Sequence, residues 1–433
     1  MNSKIKIACV GNMNNSFYAV VRHLRLLGYD AELILIDEFK HFMPEADTYE
    51  EVDLKYIKNA NCFSQDILHL NKLEIVSFFK PYSFIIASGI SIAYLAFASI
   101  KIDIVIPYGS DFYELPFLNE NKNKRSKVNA TIAFFQKRGI ETAVSVIWDY
   151  TNIQFEDVID RFNFKGQLFR MPSPFLFNYE FNPGRIEELK KKSKCFSQME
   201  SIKLKHDAIL FSHSRQCWKN PPDIWSYKGN EKIVLALKDF LDKNKTCNPA
   251  LIFFEYGPDV EETKKLISNN NLINHVYWFP VIPRKEILTL ISSCDIGIGE
   301  IGNHSWFSYG AIFEFLCMMK PVIHFRDDRL YSNKISEMYP MYSANSRLEI
   351  VNILEEFYAD RKKFEVTGQL AYKWYINYAI KRPLSTIIQQ IEKKSIFLER
   401  LRKIMQTANA IRYTILNKLT WRFKGRPYYN VNE

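Results

Sequence analysis

The run Ser293–Phe325, SCDIGIGEIGNHSWFSYGAIFEFLCMMKPVIHF, decides the fold. It passes from a short apolar stretch (Asp295–Gly299) through a polar loop to a longer apolar stretch. Lys320-Pro321 and a second short apolar stretch (Val322–Phe325) close it. Short apolar runs bounded by turn residues read as buried parallel strands, and the longer one between them reads as a helix. The loop Glu300–Tyr309 then lies at the carboxyl end of a strand and the amino end of a helix. Open α/β sheets bind ligands there, because free N–H groups and the helix dipole favour an anion. Glu314 sits inside that helix, within reach of a ligand at its mouth.

The same alternation extends in both directions. Ile5–Gly11 reads as a central strand, followed by a loop to Ser16, a helix through Leu27 that Gly28 ends, and the strand Ala31–Asp37. A single glycine is not the GxGxxG fingerprint, so a dinucleotide site is not supported. The loop is either a simple tight turn or a backbone approach to ligand. Residues 38–75 are polar and irregular and read as a mobile flap or connecting helices. Strands follow at Ser83–Ala87, Asp103–Pro107, Glu141–Trp148 and Gln167–Met171, with a helix at Phe155–Phe162. A second series opens at Asp207–Ser212 and continues through Ala250–Tyr256 and Val276–Phe279, with helices Glu231–Leu241 and Arg284–Ser293. Strand–helix–strand alternation of this kind builds parallel doubly wound sheets with right-handed crossovers. The expected organisation is an α/β chain with two Rossmann-like domains, 1–173 and 206–360. A linker spans 174–205, crossover helices 361–395 and a basic tail 396–433.

Composition sets the bounds. At 433 residues, 47% hydrophobic and 24% charged, the chain is long enough for two such domains and ordinary for a globular protein. Its seven cysteines are scattered without a CxxC pair, which supports neither a disulfide framework nor a zinc site. No His/Asp/Glu cluster has metal-ligand spacing. Pro81–Ile100 carries no charge, yet Gly89 and four serines interrupt it, so it reads as a buried strand and helix rather than a membrane span. The amino terminus enters a strand without a signal-peptide core, so the expected compartment is cytoplasmic.

The segment Tyr309-Gly-Ala-Ile-Phe-Glu314-Phe-Leu-Cys-Met-Met-Lys-Pro321-Val-Ile resembles the donor-site segment of GT-B glycosyltransferases, especially family 4. The resemblance implies that Glu314 holds the ribose of a nucleotide sugar and that the amides of Ser308, Tyr309 and Gly310 meet its diphosphate. The family's earlier glutamate, with seven residues between it and the second, is Trp306 here. Glu300 is the nearest acidic substitute, out of register with it. His213-Ser-Arg215 and Lys228-Gly229 resemble the family's Gly-Arg and Lys-Gly elements, which implies that Arg215 and Lys228 hold the diphosphate, across a longer spacer. Two converging cations suit a diphosphate that must leave. Tyr108-Gly-Ser-Asp111 is similar to a His-Gly-Ser-Asp turn that faces the cleft in that family. Asp111 either faces the acceptor as a catalytic carboxylate or caps the following helix.

Residues 381–433 hold 12 Lys/Arg against 3 Asp/Glu, a net +9 of the chain's +10. Phe397, Leu401, Ile404, Ala408, Ile411, Ile415 and Leu419 recur at helical spacing, and Trp421 and Phe423 follow. A basic amphipathic helix with aromatics suits an anionic membrane surface. A solvated coiled tail or a helix packed on the body is the plainer reading, and no stacking or groove-reading motif supports nucleic acid. The function expected from the resemblance is a retaining transfer of sugar from a nucleotide-sugar donor to a glycan or lipid-linked acceptor. That transfer would serve cell-surface polysaccharide synthesis, peripheral on the inner face of the plasma membrane, with no cofactor beyond the co-substrate. A noncatalytic scaffold of the same fold, or a sugar-nucleotide epimerase, are the alternatives.

Overall fold

A computed structural model describes residues 5–36, 43–120, 126–149, 151–172, 176–307 and 309–423, with backbone alone at 410 and 413–423. Two sheets carry the architecture. The first draws on β1 (Lys6–Val10), β2 (Asp30–Leu35), β3 (Ile57–Asn59), β4 (Phe84–Ala87), β5 (Ile104–Val105), β6 (Ser145–Trp148) and β7 (Gln167–Arg170). Its order is β3-β2-β1-β4-β5-β6-β7. The second comprises β8 (Ala208–Phe211), β9 (Pro249–Phe254), β10 (Val276–Phe279), β11 (Ile296–Ile298), β12 (Val322–His324) and β13 (Tyr342–Ser343), in the order β10-β9-β8-β11-β12-β13. The described pairings are all parallel, as crossover helices between successive strands require.

The central strands are apolar end to end because helices cover both faces. Every residue of β4, β6, β8 and β9 is buried, and so is the stretch Ile7–Val10. Pro81–Ile100 resolves into β4 and the helix Ser91–Phe97, whose apolar residues join the core of the first sheet. No helix among the described residues is long and apolar enough to cross a membrane. The seven cysteines are free thiols.

Three expectations change. The helix before β6 runs on to Thr142, so the strand begins at Ser145 rather than Glu141. Within 43–71 the chain is bound to the body rather than a mobile flap, and its connecting helices are short 3-10 turns. Short 3-10 turns and β3 lie against the body, with Asp47 and Thr48 buried and the Tyr49 amide donating to Glu180 Oε1 over 2.7 Å. Buried polar atoms held this way resist release, because each lost bond strands a partner. The linker region carries two helices, Ile186–Lys192 and Phe196–Lys203, whose Leu189, Phe196 and Met199 join the core of the second sheet. Residues 121–125, and residues 173–175 at the expected boundary of the first domain, lie outside the described residues.

The helix Arg361–Tyr375 and the π-turn Ile376–Lys381 add Trp374, Tyr375, Ala379 and Ile380 to a core shared with Leu176 and Phe181. The chain forms two units, Met1–Leu384 and Ser385–Glu433. The second unit continues the helix Arg382–Phe423, on which Ile396, Phe397, Leu401, Ile404, Met405 and Ile411 are exposed. Trp421 and Phe423 fall among the positions described by backbone alone.

Candidate functional site

Strand order in the second sheet reverses between β8 and β11, and the carboxyl ends of those two strands open the crevice where doubly wound sheets hold ligands. His213 and Arg215 follow β8, and Glu300 follows β11. The turn Lys228-Gly229 packs directly on the Glu300 loop: Ile301 N–H donates to the Lys228 carbonyl at 3.0 Å. Glycine is required at 229, since its φ is +67° and a Cβ there would stand 2.3 Å from the Ile301 oxygen.

That packing brings the expected cations together. Lys228 Nζ lies 2.8 Å from Glu300 Oε1, and the two side chains are only 15% and 13% exposed. Lys228 also donates to the Trp225 carbonyl at 3.2 Å. Arg215 is half-buried, and its charge acts on both Glu300 and Cys217 beside that of Lys228. Burial pushes the Glu300 carboxyl above its ordinary range against the opposing pull of Lys228 and Arg215. Glu300, the acidic residue nearest the family's earlier glutamate, is therefore the ion-pair partner of Lys228. Its amide donates to the Tyr309 hydroxyl at 2.6 Å, an approach that only Gly299 permits, because a Cβ there would fall 2.2 Å from the same oxygen. Tyr309 is the extended residue before the helix Gly310–Cys317, and no described side chain caps that helix. Lys228, Arg215, Glu300 and an uncapped helix start thus share one place. Ser308 lies outside the described residues.

Glu314 projects from the second turn of that helix into a buried polar chain. His213 Nε2–H donates to its Oε2 at 2.6 Å, and Arg284 Nε forms an ion pair with its Oε1 at 3.2 Å. Arg284 continues to Asp47 Oδ1 at 3.2 Å and donates to the Asn14 carbonyl, so the chain joins the loop after β8 to the half built on the first sheet. Burial pushes the Glu314 carboxyl up, but the His213 bond and the charges around it outweigh burial and hold it below the usual range. Asp47 goes the other way, raised to about 6 by burial against the attraction of Arg284. The residue expected to hold a ribose thus has both oxygens engaged by protein. His213, Arg284 and Asp47 were not singled out by the sequence as its partners.

On the first sheet, order reverses between β1 and β4. Gly11, Asn14 and Asn15 adopt positive φ in the loop after β1, and Gly89 does so after β4. Asp111 is fully buried and ties the loop after β4 to the turn after β5. It accepts from Gly89 N–H at 2.8 Å, Gly109 N–H at 2.9 Å and Tyr108 N–H at 3.0 Å. Burial raises its carboxyl to about 6 against those bonds. With three amides on two oxygens and no exposed edge, its contacts are those of a brace rather than of an acceptor-facing carboxylate. Tyr108, where the resembling family has histidine, is 38% exposed. Among the described residues no group of three or more His, Cys, Asp or Glu could hold a metal ion.

Two doubly wound parallel sheets, each with a ligand crevice at its switch point, define the GT-B glycosyltransferase fold. Among solved structures, the chain is similar to HepE from Anabaena in complex with UDP, at 14% identity and a TM-score of 0.56 over 90% of this chain and 99% of that one. It is also similar to sucrose-phosphate synthase from Thermosynechococcus elongatus, at 13% identity and a TM-score of 0.51 over 93% and 100%. UDP-GlcNAc 2-epimerase from Neisseria meningitidis bound to UDP-GlcNAc matches at 10% identity and a TM-score of 0.53, over 90% and 100%. Likeness at such identity speaks for the fold alone. No family model and no curated protein sequence matches the chain.

Proposed function

We propose that the chain is a glycosyltransferase that moves a sugar from a nucleotide-sugar donor to a glycan or lipid-linked acceptor. The observation that carries this reading is the meeting of Lys228, Arg215 and the uncapped start of the helix Gly310–Cys317 at the β8/β11 switch point. A sugar-nucleotide diphosphate carries two negative charges that grow on the leaving oxygen as the glycosidic bond breaks. Two cations and a helix start are suited to stabilise them. Lys228 exchanges Glu300 for phosphate oxygen when donor enters, and Arg215 supplies the second charge. HepE in complex with UDP-glucose and the epimerase bound to UDP-GlcNAc support a nucleotide-sugar donor on this fold.

Glu314, tied by His213 and Arg284, sets the position of the donor helix and reaches ribose only by exchanging one of those partners. Asp111 holds the loops after β4 and β5 that would form the acceptor side. The stereochemical course we propose is retention, in the setting of cell-surface polysaccharide synthesis. The basic helix Arg382–Phe423 would rest on the anionic inner face of the plasma membrane, apolar side chains inward and cations toward headgroups.

Release of nucleoside diphosphate from UDP- or GDP-sugars, measured with and without a polyprenyl-linked glycan, tests the proposal. Release that depends on acceptor is the expected result. Nucleotide binding without release from any donor would instead favour the scaffold of the same fold.

A further inference from the structure

Beside the Lys228–Glu300 pair stands a group of aromatic rings that the diphosphate reading leaves unused. Trp225 stacks on His304 with ring centroids 4.1 Å apart and planes inclined by 30°. Trp306 meets Trp225 edge-on at 5.8 Å, and Tyr309 meets Trp306 at 6.5 Å. These rings are only partly buried, whereas the neighbouring Phe307 is 3% exposed and belongs to the core. Rings that serve only to fill a core are covered; these line a surface.

Backbone bonds fix the group relative to the cations. The Trp225 carbonyl accepts from Lys228 Nζ at 3.2 Å, and Trp306 N–H donates to the Phe325 carbonyl at 3.2 Å beyond the end of β12. The rings therefore stand beside the ammonium that would hold a phosphate, within reach of a sugar linked to that phosphate. Trp306 also occupies the position at which the resembling family carries a carboxylate. An indole cannot accept hydrogen bonds from sugar hydroxyls, but its electron-rich face attracts the polarised C–H face of a pyranose.

We propose that Trp225, His304 and Trp306 form the donor-sugar subsite and hold a neutral hexose or N-acetylhexosamine by stacking rather than by a carboxylate. The proposal rests on the reading of Lys228 and Arg215 as the diphosphate site. It also disfavours a uronic acid, because the Glu300 carboxylate that Lys228 releases to the phosphate repels a second carboxylate.

Calorimetric titration of the full chain tests it, using UDP, UDP-glucose, UDP-GlcNAc, UDP-glucuronate, GDP and GDP-mannose on wild type, Trp306→Ala and Trp306→Phe. Trp306→Ala should weaken the neutral nucleotide sugar about tenfold while free diphosphate stays within about twofold. Trp306→Phe should keep most of the affinity, and UDP-glucuronate should bind more weakly than UDP-glucose. Equal affinity of Trp306→Ala for the neutral nucleotide sugar, or an equal loss for the free diphosphate, overturns the stacking subsite alone. A wild-type chain that binds neither UDP nor GDP overturns the diphosphate site and this inference with it.

Discussion

Removing the Glu314 carboxylate strands two donors at once, His213 Nε2–H and the Arg284 guanidinium, in a site where Glu314 is 6% exposed. Glu314→Ala should lower unfolding stability by about 3 kcal/mol, read by urea denaturation, because a buried charge loses its partner. Donor affinity should fall with it. The pH dependence has a definite sign. The folded carboxyl titrates below the unfolded one, so the unfolded chain binds more protons across the acidic range. The stability that Glu314 confers is present above the ordinary carboxylate value and lost as pH falls through and below it. The difference between wild type and Glu314→Gln should therefore shrink between about pH 7 and about pH 3. A difference that grows on acidification would contradict the pairing. At this scale the sequence showed Glu314 but not its company, since His213 lies 101 residues away and Arg284 and Asp47 come from other elements. Spacing along one helix carries no information about such contacts. Asp111 shows the same gap: its helix-capping alternative was visible, but not the Gly89 amide that makes it a tie between two loops.

The elements best legible were the apolar strands, because burial on both faces leaves a continuous run of hydrophobic residues. The edge strands β3 and β13 were not visible; their residues are half-buried or exposed, so neither carries an apolar run. Turns at the carboxyl ends decide the site, and Gly229 is one of the tight ones. Gly229→Ala must place a methyl group against the Ile301 carbonyl at positive φ. It should cost about 1–3 kcal/mol in thermal unfolding and weaken donor binding through displacement of Lys228. Unchanged stability in that variant would show that the Lys228 turn is free to move. The helix Arg382–Phe423 was legible as a period of apolar residues, and its exposed Phe397, Leu401, Ile404 and Ile411 keep that spacing. Deleting 396–433 should abolish sedimentation with anionic phosphatidylserine vesicles while leaving nucleotide binding intact. Undiminished sedimentation would remove the membrane role.

At the scale of the whole molecule, alternation of strand and helix implied two doubly wound sheets, and their strand orders place both reversal points at sites with polar loops. What the alternation could not show is how the two halves are joined. Arg284 reaches Asp47 and the Asn14 carbonyl, and Lys285 Nζ donates to the Thr48 carbonyl at 3.0 Å. Arg22 pairs with the buried Glu180 at 2.6 Å. The segment 43–50 that makes several of these contacts read as polar and irregular, because polar residues that bridge two halves look like solvated ones in a sequence. The account as a whole stands on a diphosphate held by Lys228 and Arg215. Calorimetric titration of wild type and of Arg215→Ala/Lys228→Ala with UDP, GDP and CMP measures that directly. The account predicts that wild type binds a nucleoside diphosphate and that the double variant loses on the order of a hundredfold in affinity, two charge-assisted contacts being removed. Equal binding by the two proteins, or no binding by wild type, would contradict it.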